Sequence, residues 1–208
     1  MPKKPKHLRV LKKAFLGLVR VLVGAYPMGA VPNSSRPTIY FANHTSHLDT
    51  LTLLAALGPR GSARARPIAA RDYWCASRAR QWVAQELLNA VFVDRLRAEE
   101  TDPLQVLRDA LNEGSSVILF PEGTRTENEL PTEFKSGLFR LAQEFPQVRL
   151  VPVYLENLHR ILPKGSVLPV PLINKVHFGE PLQRIEEEPK ADFLARARQA
   201  VCNLSPGH

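Results

Sequence analysis

The sequence has few cysteines, no long apolar run and no acidic residue before Asp49. The two cysteines, Cys75 and Cys202, lie in no metal-ligand spacing, and two isolated thiols do not predict a disulfide framework. We therefore expect a reducing compartment. Arg20 and Pro27 interrupt the N-terminal apolar stretch before it reaches the roughly 20 residues of a membrane-spanning helix. We predict neither a membrane span nor a secretory signal there.

Because no acidic residue precedes Asp49, the net positive charge of the protein lies in its N-terminal part. Eight Lys and Arg lie within residues 1–48, and the remaining 20 are balanced by 20 Asp and Glu, so this part holds the whole net charge of +8. Hydrophobic residues make up 44% of the chain and charged residues 23%, which is typical of a globular protein rather than a disordered one. A length of 208 residues suits one domain with its own core.

Residues 8–23 have the periodicity of a basic amphipathic helix. On a helical wheel most apolar side chains share one arc, with Leu16 and Val23 as exceptions, and the opposite arc holds Arg9, Lys12, Lys13 and Arg20. Such a helix fits an anionic membrane surface. The alternative is a helix packed on the body with its basic face in water. Nucleic acid is disfavoured as a partner because the arm lacks interleaved aromatic residues and the rest of the chain is not basic.

The rest of the chain alternates strands with helices, which indicates an α/β fold. Residues 32–37 are rich in Pro, Ser and Asn and read as a linker. We predict a membrane-associating arm and linker over residues 1–37 and a single domain over 38–208, with a mixed, largely parallel sheet flanked by helices. The predicted strands are 39–42, 67–70, 90–93, 116–120, 148–155 and 175–178, and the predicted helices are 48–57, 73–88, 102–112, 133–145 and 189–203.

A histidine and an aspartate five positions apart, His44 and Asp49, follow the first of these strands. A carboxylate that folds back onto an imidazole makes a general base with its orienting group. The alternative is a helix-capping box, with Ser46 at the N-cap and Asp49 three residues later. On that interpretation His44 is an ordinary loop histidine.

A second polar loop, residues 120–126, follows the buried strand 116–120. In open α/β sheets, ligands bind beyond the carboxyl ends of the strands. A proline that stops the strand, the flexible Gly123, a hydroxyl and Arg125 together suit an oxyanion or a phosphate, and Lys135 would add a positive charge. The alternative is a polar turn with a solvated Glu–Arg pair. The two loops together suggest group transfer onto a hydroxyl of a phosphate-bearing molecule.

The chain resembles the glycerolipid acyltransferase family, in particular the 1-acyl-glycerol-3-phosphate (lysophosphatidate) acyltransferases. The resemblance rests on two specific blocks, Asn43-His44-x4-Asp49 and Phe120-Pro121-Glu122-Gly123-Thr124-Arg125, and covers roughly residues 38–180. Two weaker blocks, at 91–95 and 151–154, agree with it. The second block differs at Asn89-Ala90, where the family usually has a glycine.

The resemblance implies that His44 removes the proton from an acceptor hydroxyl as it attacks an acyl thioester, and that Asp49 orients His44. It implies a donor that is acyl-CoA or acyl carrier protein, a lysophospholipid acceptor, and no metal or bound cofactor. From the basic arm we expect a peripheral position on the cytoplasmic face of a membrane. Asn43 would shape the turn. The substrate-binding residues would be Asn43, Arg95, Glu122, Gly123, Thr124, Arg125 and Lys135.

Other functions stay open at this stage. Because of the difference at residues 89–90, the acceptor could be another lysophospholipid or a hydroxylated amide lipid. A metal-dependent hydrolase would use His44, His47 and Asp49, but it needs a further ligand that no histidine spacing provides. A lipid-binding module without turnover is the third alternative.

Overall fold

Seven strands form one mixed sheet in the order β1-β7-β6-β2-β5-β3-β4. The computed structural model describes residues 5–32, 35–46, 48–93, 102, 104–156 and 174–207. The strands are Ala25–Met28 (β1), Thr38–Ala42 (β2), Ala65–Ala70 (β3), Val91–Val93 (β4), Ser116–Leu119 (β5), Arg149–Leu155 (β6) and Asn174–Phe178 (β7).

All the strand pairs are parallel except β6–β7, so the predicted mixed, largely parallel sheet is confirmed. The strands that precede the two polar loops, β2 and β5, are neighbours, with Phe41 opposite Leu119. Because both run in the same direction, both loops leave the sheet at the same edge. The register of this pair therefore brings together loops that are more than 70 residues apart in sequence.

Helices cover both faces of the sheet. They are Lys6–Val23 (α1), Asp49–Ala56 (α2), Gly58–Arg64 (α3), Arg71–Trp74 (α4), Arg78–Trp82 (α5), Gln105–Asn112 (α6), Gly137–Glu144 (α7) and Lys190–Cys202 (α8), and a π-helical turn spans Val83–Leu87. Strand β2 is buried along its whole length. Its alternating side chains divide the core in two: Tyr40 packs in a cluster with α1 and α2, and Phe41 packs with α6, α7 and α8.

Several element boundaries differ from the sequence-based expectation. The predicted helix 73–88 is divided because the Ser77 backbone is extended and its hydroxyl accepts from Arg80 N, which starts a new helix. The predicted helix 133–145 begins only at Gly137, since the Lys135 amide donates to Pro121 O instead. The segment before β3 forms the short helix α3, with Pro59 in its first turn.

Strand β1 was not predicted at all. It pairs in parallel with β7. At the start of the pair, the backbone N–H of Asn174 donates to Gly24 O. Pro27 is tolerated because β1 is an edge strand, where one ladder hydrogen bond can be missing. Residues 25–28 of the predicted arm are therefore part of the same sheet as the predicted domain.

Helix α1 packs on the body with a face that combines Lys12 and Val19 with the two apolar exceptions of the wheel. Its buried residues are Lys12, Leu16, Val19 and Val23, which include the two apolar exceptions and a basic residue. The predicted apolar arc is largely exposed: Val10 by 65%, Leu18 by 56%, Val21 by 76% and Leu22 by 55%. The alternative of a helix packed on the body with its basic face in water is therefore wrong in this form, because most of the apolar arc is exposed and Lys12 is buried. No described helix combines the length and apolarity that crossing a bilayer requires.

A buried ammonium group fastens α1 to α3. Lys12 is only 8% exposed, and its Nζ donates to the carbonyl oxygen of Ser62 at 2.7 Å. Burial of a charged group is costly unless it is hydrogen-bonded. The contact therefore fixes the position of α1 relative to α3.

We expect Lys12→Ala to lower the free energy of unfolding by roughly 1–3 kcal/mol, because it removes a charged donor and leaves the Ser62 carbonyl unpaired. Urea denaturation measures the change. The matched variant Lys13→Ala removes an exposed lysine and should change stability by no more than about 0.5 kcal/mol. Equal effects of the two substitutions would show that the Lys12–Ser62 contact contributes nothing.

Candidate active site

His44 lies on the loop that leaves β2, and Asn43 anchors the start of that loop. The Asn43 side chain is fully buried. Its amide donates to Leu155 O at 3.1 Å and its carbonyl accepts from Leu155 N at 2.8 Å. Asn43 thereby closes the ladder between β2 and β6 and fixes the direction of the chain into His44. The structure thus places Asn43 inside the sheet at the start of the His44 loop.

His44 and Asp49 form a hydrogen-bonded pair. The distance from His44 Nδ1 to Asp49 Oδ2 is 2.7 Å, and the same oxygen accepts from Thr45 N at 2.7 Å and from Ser46 N at 3.0 Å. Asp49 is fully buried, whereas the His44 side chain is 19% exposed. Asp49 is also the first residue of α2, where the helix dipole favours a negative charge.

The pair determines which ring nitrogen of His44 can act as a base. A carboxylate only accepts hydrogen bonds, so Nδ1 of His44 has to carry the hydrogen that points to Asp49. In the neutral imidazole, Nε2 is then left with its lone pair free. The partly exposed ring can present Nε2 to a hydroxyl group, while the buried carboxylate stabilises the imidazolium that proton transfer produces.

The predicted capping box is present only in altered form. Helix α2 begins at Asp49, so Leu48 rather than Ser46 occupies the N-cap position. The Ser46 hydroxyl accepts from Leu48 N at 3.2 Å. The Asp49 carboxylate still accepts from the backbone N–H of Ser46, as the acidic residue at position N3 of a capping box does. Asp49 Oδ2 thus accepts the backbone N–H groups before α2 and also orients His44. The capping interpretation and the general-base interpretation of Asp49 are therefore compatible.

The second polar loop holds the backbone of His44 from both sides. Glu122 Oε1 accepts from His44 N at 2.7 Å, and Thr126 N donates to His44 O at 2.9 Å. The other carboxylate oxygen of Glu122 accepts from both the amide and the hydroxyl of Thr132, each at 2.8 Å. Glu122 is 2% exposed. Its predicted role as a direct ligand of substrate is therefore less favoured than a role in joining the two loops.

Phe120 supports the ring of His44. The two rings stack with their centroids 4.2 Å apart and their planes 17° from parallel. With Asp49 at one edge and Phe120 on one face, the imidazole is limited in both tilt and rotation. Sequence reasoning used Phe120 only as part of the motif, and Thr132 was missed entirely. The hydroxyl residue ten positions after Glu122 gives no signal by spacing alone.

The exposed start of the loop carries Arg125, and Lys135 lies beside it, while Glu127 and Glu129 are exposed farther along. Gly123, Thr124, Arg125 and Lys135 all lie at the surface. Gly123 has φ of 73°, and a Cβ built there would lie 2.7 Å from Lys135 Nζ. The absence of a side chain at Gly123 thus lets the Lys135 ammonium lie directly against the loop backbone. The geometry brings together the predicted glycine and the predicted lysine.

The far end of the loop is held by two contacts from other elements. Tyr154, on β6, donates its hydroxyl to Glu129 O at 3.3 Å, and burial raises the pKa of this phenol, which keeps it a neutral donor. Arg198, on α8, donates to Pro131 O at 2.8 Å. The loop is therefore positioned from its beginning to its end.

Two residues of the sequence-based proposals, Arg95 and His47, lie outside the described residues. Nearby, Asn89 adopts φ of 56°, a left-handed conformation that glycine would adopt freely and that asparagine tolerates. No set of three His, Cys, Asp or Glu side chains among the described residues is placed to hold a metal ion.

We expect Glu122→Gln to lower the free energy of unfolding by about 1–3 kcal/mol, because an amide N–H₂ would face backbone N–H donors where a carboxylate oxygen now accepts. Urea denaturation measures the loss, and the NMR signal of the His44 amide proton should move as its acceptor changes. Glu133→Gln, at an exposed position, is the matched control. An unchanged His44 amide in Glu122→Gln would contradict the assigned contact.

Comparison with known proteins places this geometry in a family. The acyltransferase family model matches residues 28–156. The chain is 31% identical over 143 residues to the chloroplastic 1-acyl-sn-glycerol-3-phosphate acyltransferase LPAT1 of Arabidopsis thaliana, with 65% of this chain and 36% of that protein covered. It is 34% identical over 126 residues to the human 1-acyl-sn-glycerol-3-phosphate acyltransferase alpha, with 59% and 42% covered.

A relative from Chlamydomonas reinhardtii, also named a 1-acyl-sn-glycerol-3-phosphate acyltransferase, is 31% identical over 186 residues, which cover 85% of this chain and 51% of that protein. The chain thus spans between about a third and a half of the length of these relatives. The crystal structure of the 1-acyl-sn-glycerophosphate acyltransferase PlsC of Thermotoga maritima superimposes with a TM-score of 0.71 over 96% of this chain and 77% of that chain, at 21% identity. The likeness to PlsC shows a shared fold, and the match of the family model over most of the described sheet shows that the chain belongs to the acyltransferase family.

Proposed function

We propose that the protein transfers a fatty acyl group from an acyl thioester to the free hydroxyl of a lysophospholipid, with 1-acyl-glycerol-3-phosphate as the acceptor and phosphatidic acid as the product. The observation that carries the proposal is the His44–Asp49 pair, 2.7 Å apart, on a loop that is hydrogen-bonded to the second polar loop, where Arg125 is exposed. A base and an anion-binding surface are the two groups that this acceptor requires. The acceptor is also the substrate named for the relatives.

In the proposed mechanism, His44 Nε2 takes the proton of the acceptor hydroxyl as the oxygen attacks the thioester carbonyl. The resulting tetrahedral intermediate collapses, the C–S bond breaks, and the imidazolium returns the proton to the departing thiolate. Asp49 stabilises the imidazolium between these steps. Because a thioester is already activated, positioning and a general base supply most of what catalysis needs.

The exposed loop is proposed to hold the phosphate of the acceptor. Arg125 offers a forked donor and Lys135 a point charge, and Gly123, with φ of 73°, lets the Lys135 ammonium lie against the loop backbone. Thr124 adds an exposed hydroxyl. By resemblance, Arg95 of the second block would face the acceptor as well. The carboxylate of Glu122 is engaged with His44 and Thr132, so in this proposal it acts by positioning.

The acyl chains are proposed to lie on the α1–α2 face of the sheet. Phe120, on which His44 stacks, packs against that core cluster, as do the half-buried side chains of Leu48, Leu51 and Trp74. Leu48 and Leu51 lie at the start of α2, where Asp49 is found. A hydrocarbon chain there would be continuous with the core. The donor would be acyl-CoA or acyl carrier protein, both of which present a thioester.

We expect His44→Ala to lower kcat by about 10²–10⁴-fold, the range that a general base contributes. Asp49→Asn should lower it by a factor of the same order, because an amide no longer enforces the Nδ1–H form of His44 or stabilises the imidazolium. The measurement is product formation from acyl-CoA and lysophosphatidate, followed by lipid mass spectrometry.

The exposed aspartate in Asp192→Asn provides the matched control, and its kcat should stay unchanged. Circular dichroism confirms that each variant is folded. Full activity in folded His44→Ala would eliminate the mechanism. Turnover on other lysolipids but not on lysophosphatidate would change the acceptor and leave the mechanism in place.

The protein is further proposed to work as a peripheral protein on the cytoplasmic face of a membrane, with α1 lying in the interface. Four apolar side chains of α1 are more than half exposed (Val10, Leu18, Val21 and Leu22), and exposed apolar surface of this extent marks an interaction site. The cations of α1 would meet anionic headgroups. Helix α1 packs on the same face of the sheet as Phe120, so membrane contact would occur on the side where lipid substrates are proposed to enter.

We expect the double variant Val21→Ser, Leu22→Ser to lower partitioning onto phospholipid vesicles by about tenfold, because each side chain loses roughly 1 kcal/mol or less of apolar transfer energy at a partly immersed position. Vesicle sedimentation measures the bound fraction. Ile185→Ser changes a side chain that is 54% exposed outside α1 and should leave partitioning unchanged. Equal losses in both variants would contradict a specific role of α1.

A further inference from the structure

A groove between α1 and α3 collects positive charge that the proposed reaction does not use. Its volume is about 710 Å³, and its lining includes five cationic side chains, Lys6, Arg9 and Lys13 from α1 and Arg60 and Arg64 from α3. Among the residues that the structure describes, no acidic side chain lines it. All five cations are exposed, and none takes part in an ion pair within the described chain.

The two walls of the groove are held in place by a buried contact. Lys12 Nζ donates to Ser62 O at 2.7 Å, which joins α1 to α3 between the two sets of cations. On α3, Arg60 and Arg64 are four residues apart and therefore share one face of the helix. The convergence of like charges is thus a property of the tertiary structure, and a bound anion would relieve the repulsion between them.

The groove lies apart from the His44 site. Helix α2 begins beside His44 at Asp49 and ends at Ala56, after which α3 begins. The eight residues of α2 correspond to about 12 Å of helix. The cations of the groove are therefore separated from the catalytic pair by the length of α2, and they are distinct from Arg125 and Lys135.

We propose that this groove binds the phosphate headgroup of an anionic phospholipid in the bilayer on which α1 lies. The inference rests on the membrane association proposed above and adds a defined headgroup site to it. Val10, which lines the groove and is 65% exposed, continues into the apolar arc of α1. A cationic groove next to an apolar arc matches a phospholipid, whose charged headgroup adjoins its acyl chains. Arginine supplies the forked donors that phosphate oxygens accept.

The test compares vesicle binding of the full chain, of Arg60→Gln/Arg64→Gln and of Arg140→Gln/Lys190→Gln. The second pair removes the same charge from exposed positions on α7 and α8, on the other face of the sheet. Vesicles consist of phosphatidylcholine alone or of phosphatidylcholine mixed with phosphatidylglycerol. Removal of two groove charges should lower partitioning onto the mixed vesicles by roughly 10- to 30-fold, given about 1 kcal/mol per cation at an anionic surface. Binding to phosphatidylcholine alone should stay the same.

An equal loss in the control pair would overturn the proposal, because general charge would then explain the binding. An unchanged partition coefficient in Arg60→Gln/Arg64→Gln would overturn it too. A raised KM for acyl-CoA with unchanged vesicle binding would assign the groove to the donor and would also overturn it. The vesicle assay needs no turnover. A headgroup effect in a protein that transfers no acyl group would therefore support the groove while contradicting the proposed reaction.

Discussion

The buried carboxylate of Glu122 is the contact on which the organisation of the site depends. One of its oxygens accepts from the His44 amide and the other from the amide and hydroxyl of Thr132. A carboxylate with 2% exposure would be costly without such partners. With them, it joins the loop after β2 to both ends of the loop after β5. The position of His44 therefore depends on the position of the second polar loop.

The parallel pairing of β2 with β5 is what makes this contact possible. Parallel neighbours end at the same edge, so the loops that follow them meet there. Asn43 extends the ladder to β6 through both backbone groups of Leu155, and Phe120 lies under the imidazole. Each of these groups limits one motion of His44. Such restriction is the positioning that the proposed general base requires.

Helix α1 shows that an amphipathic pattern does not by itself identify the face that packs. A wheel separates apolar from basic residues, but it does not say whether the apolar arc packs on the protein or faces outward. In the structure, the ammonium of Lys12 is buried against Ser62 O, and most of the apolar arc faces outward. The α2 and α3 surface below α1 provides a carbonyl oxygen for Lys12, and no periodicity in the sequence of α1 could indicate that acceptor.

The sequence alone determined the alternation of strands and helices, the basic N-terminal part and the proximity of His44 to Asp49, because these features depend on local spacing and composition. Strong periodic segments such as β2, β5 and α8 were predicted close to their observed bounds. Strand β1 was not, since four residues with a proline have little strand character until β7 pairs with them. Only the tertiary structure decided that Glu122 turns inward, that Thr132 and Phe120 belong to the site, and that five cations from α1 and α3 converge. These are contacts between segments that are distant in sequence, and they depend on strand register and helix packing.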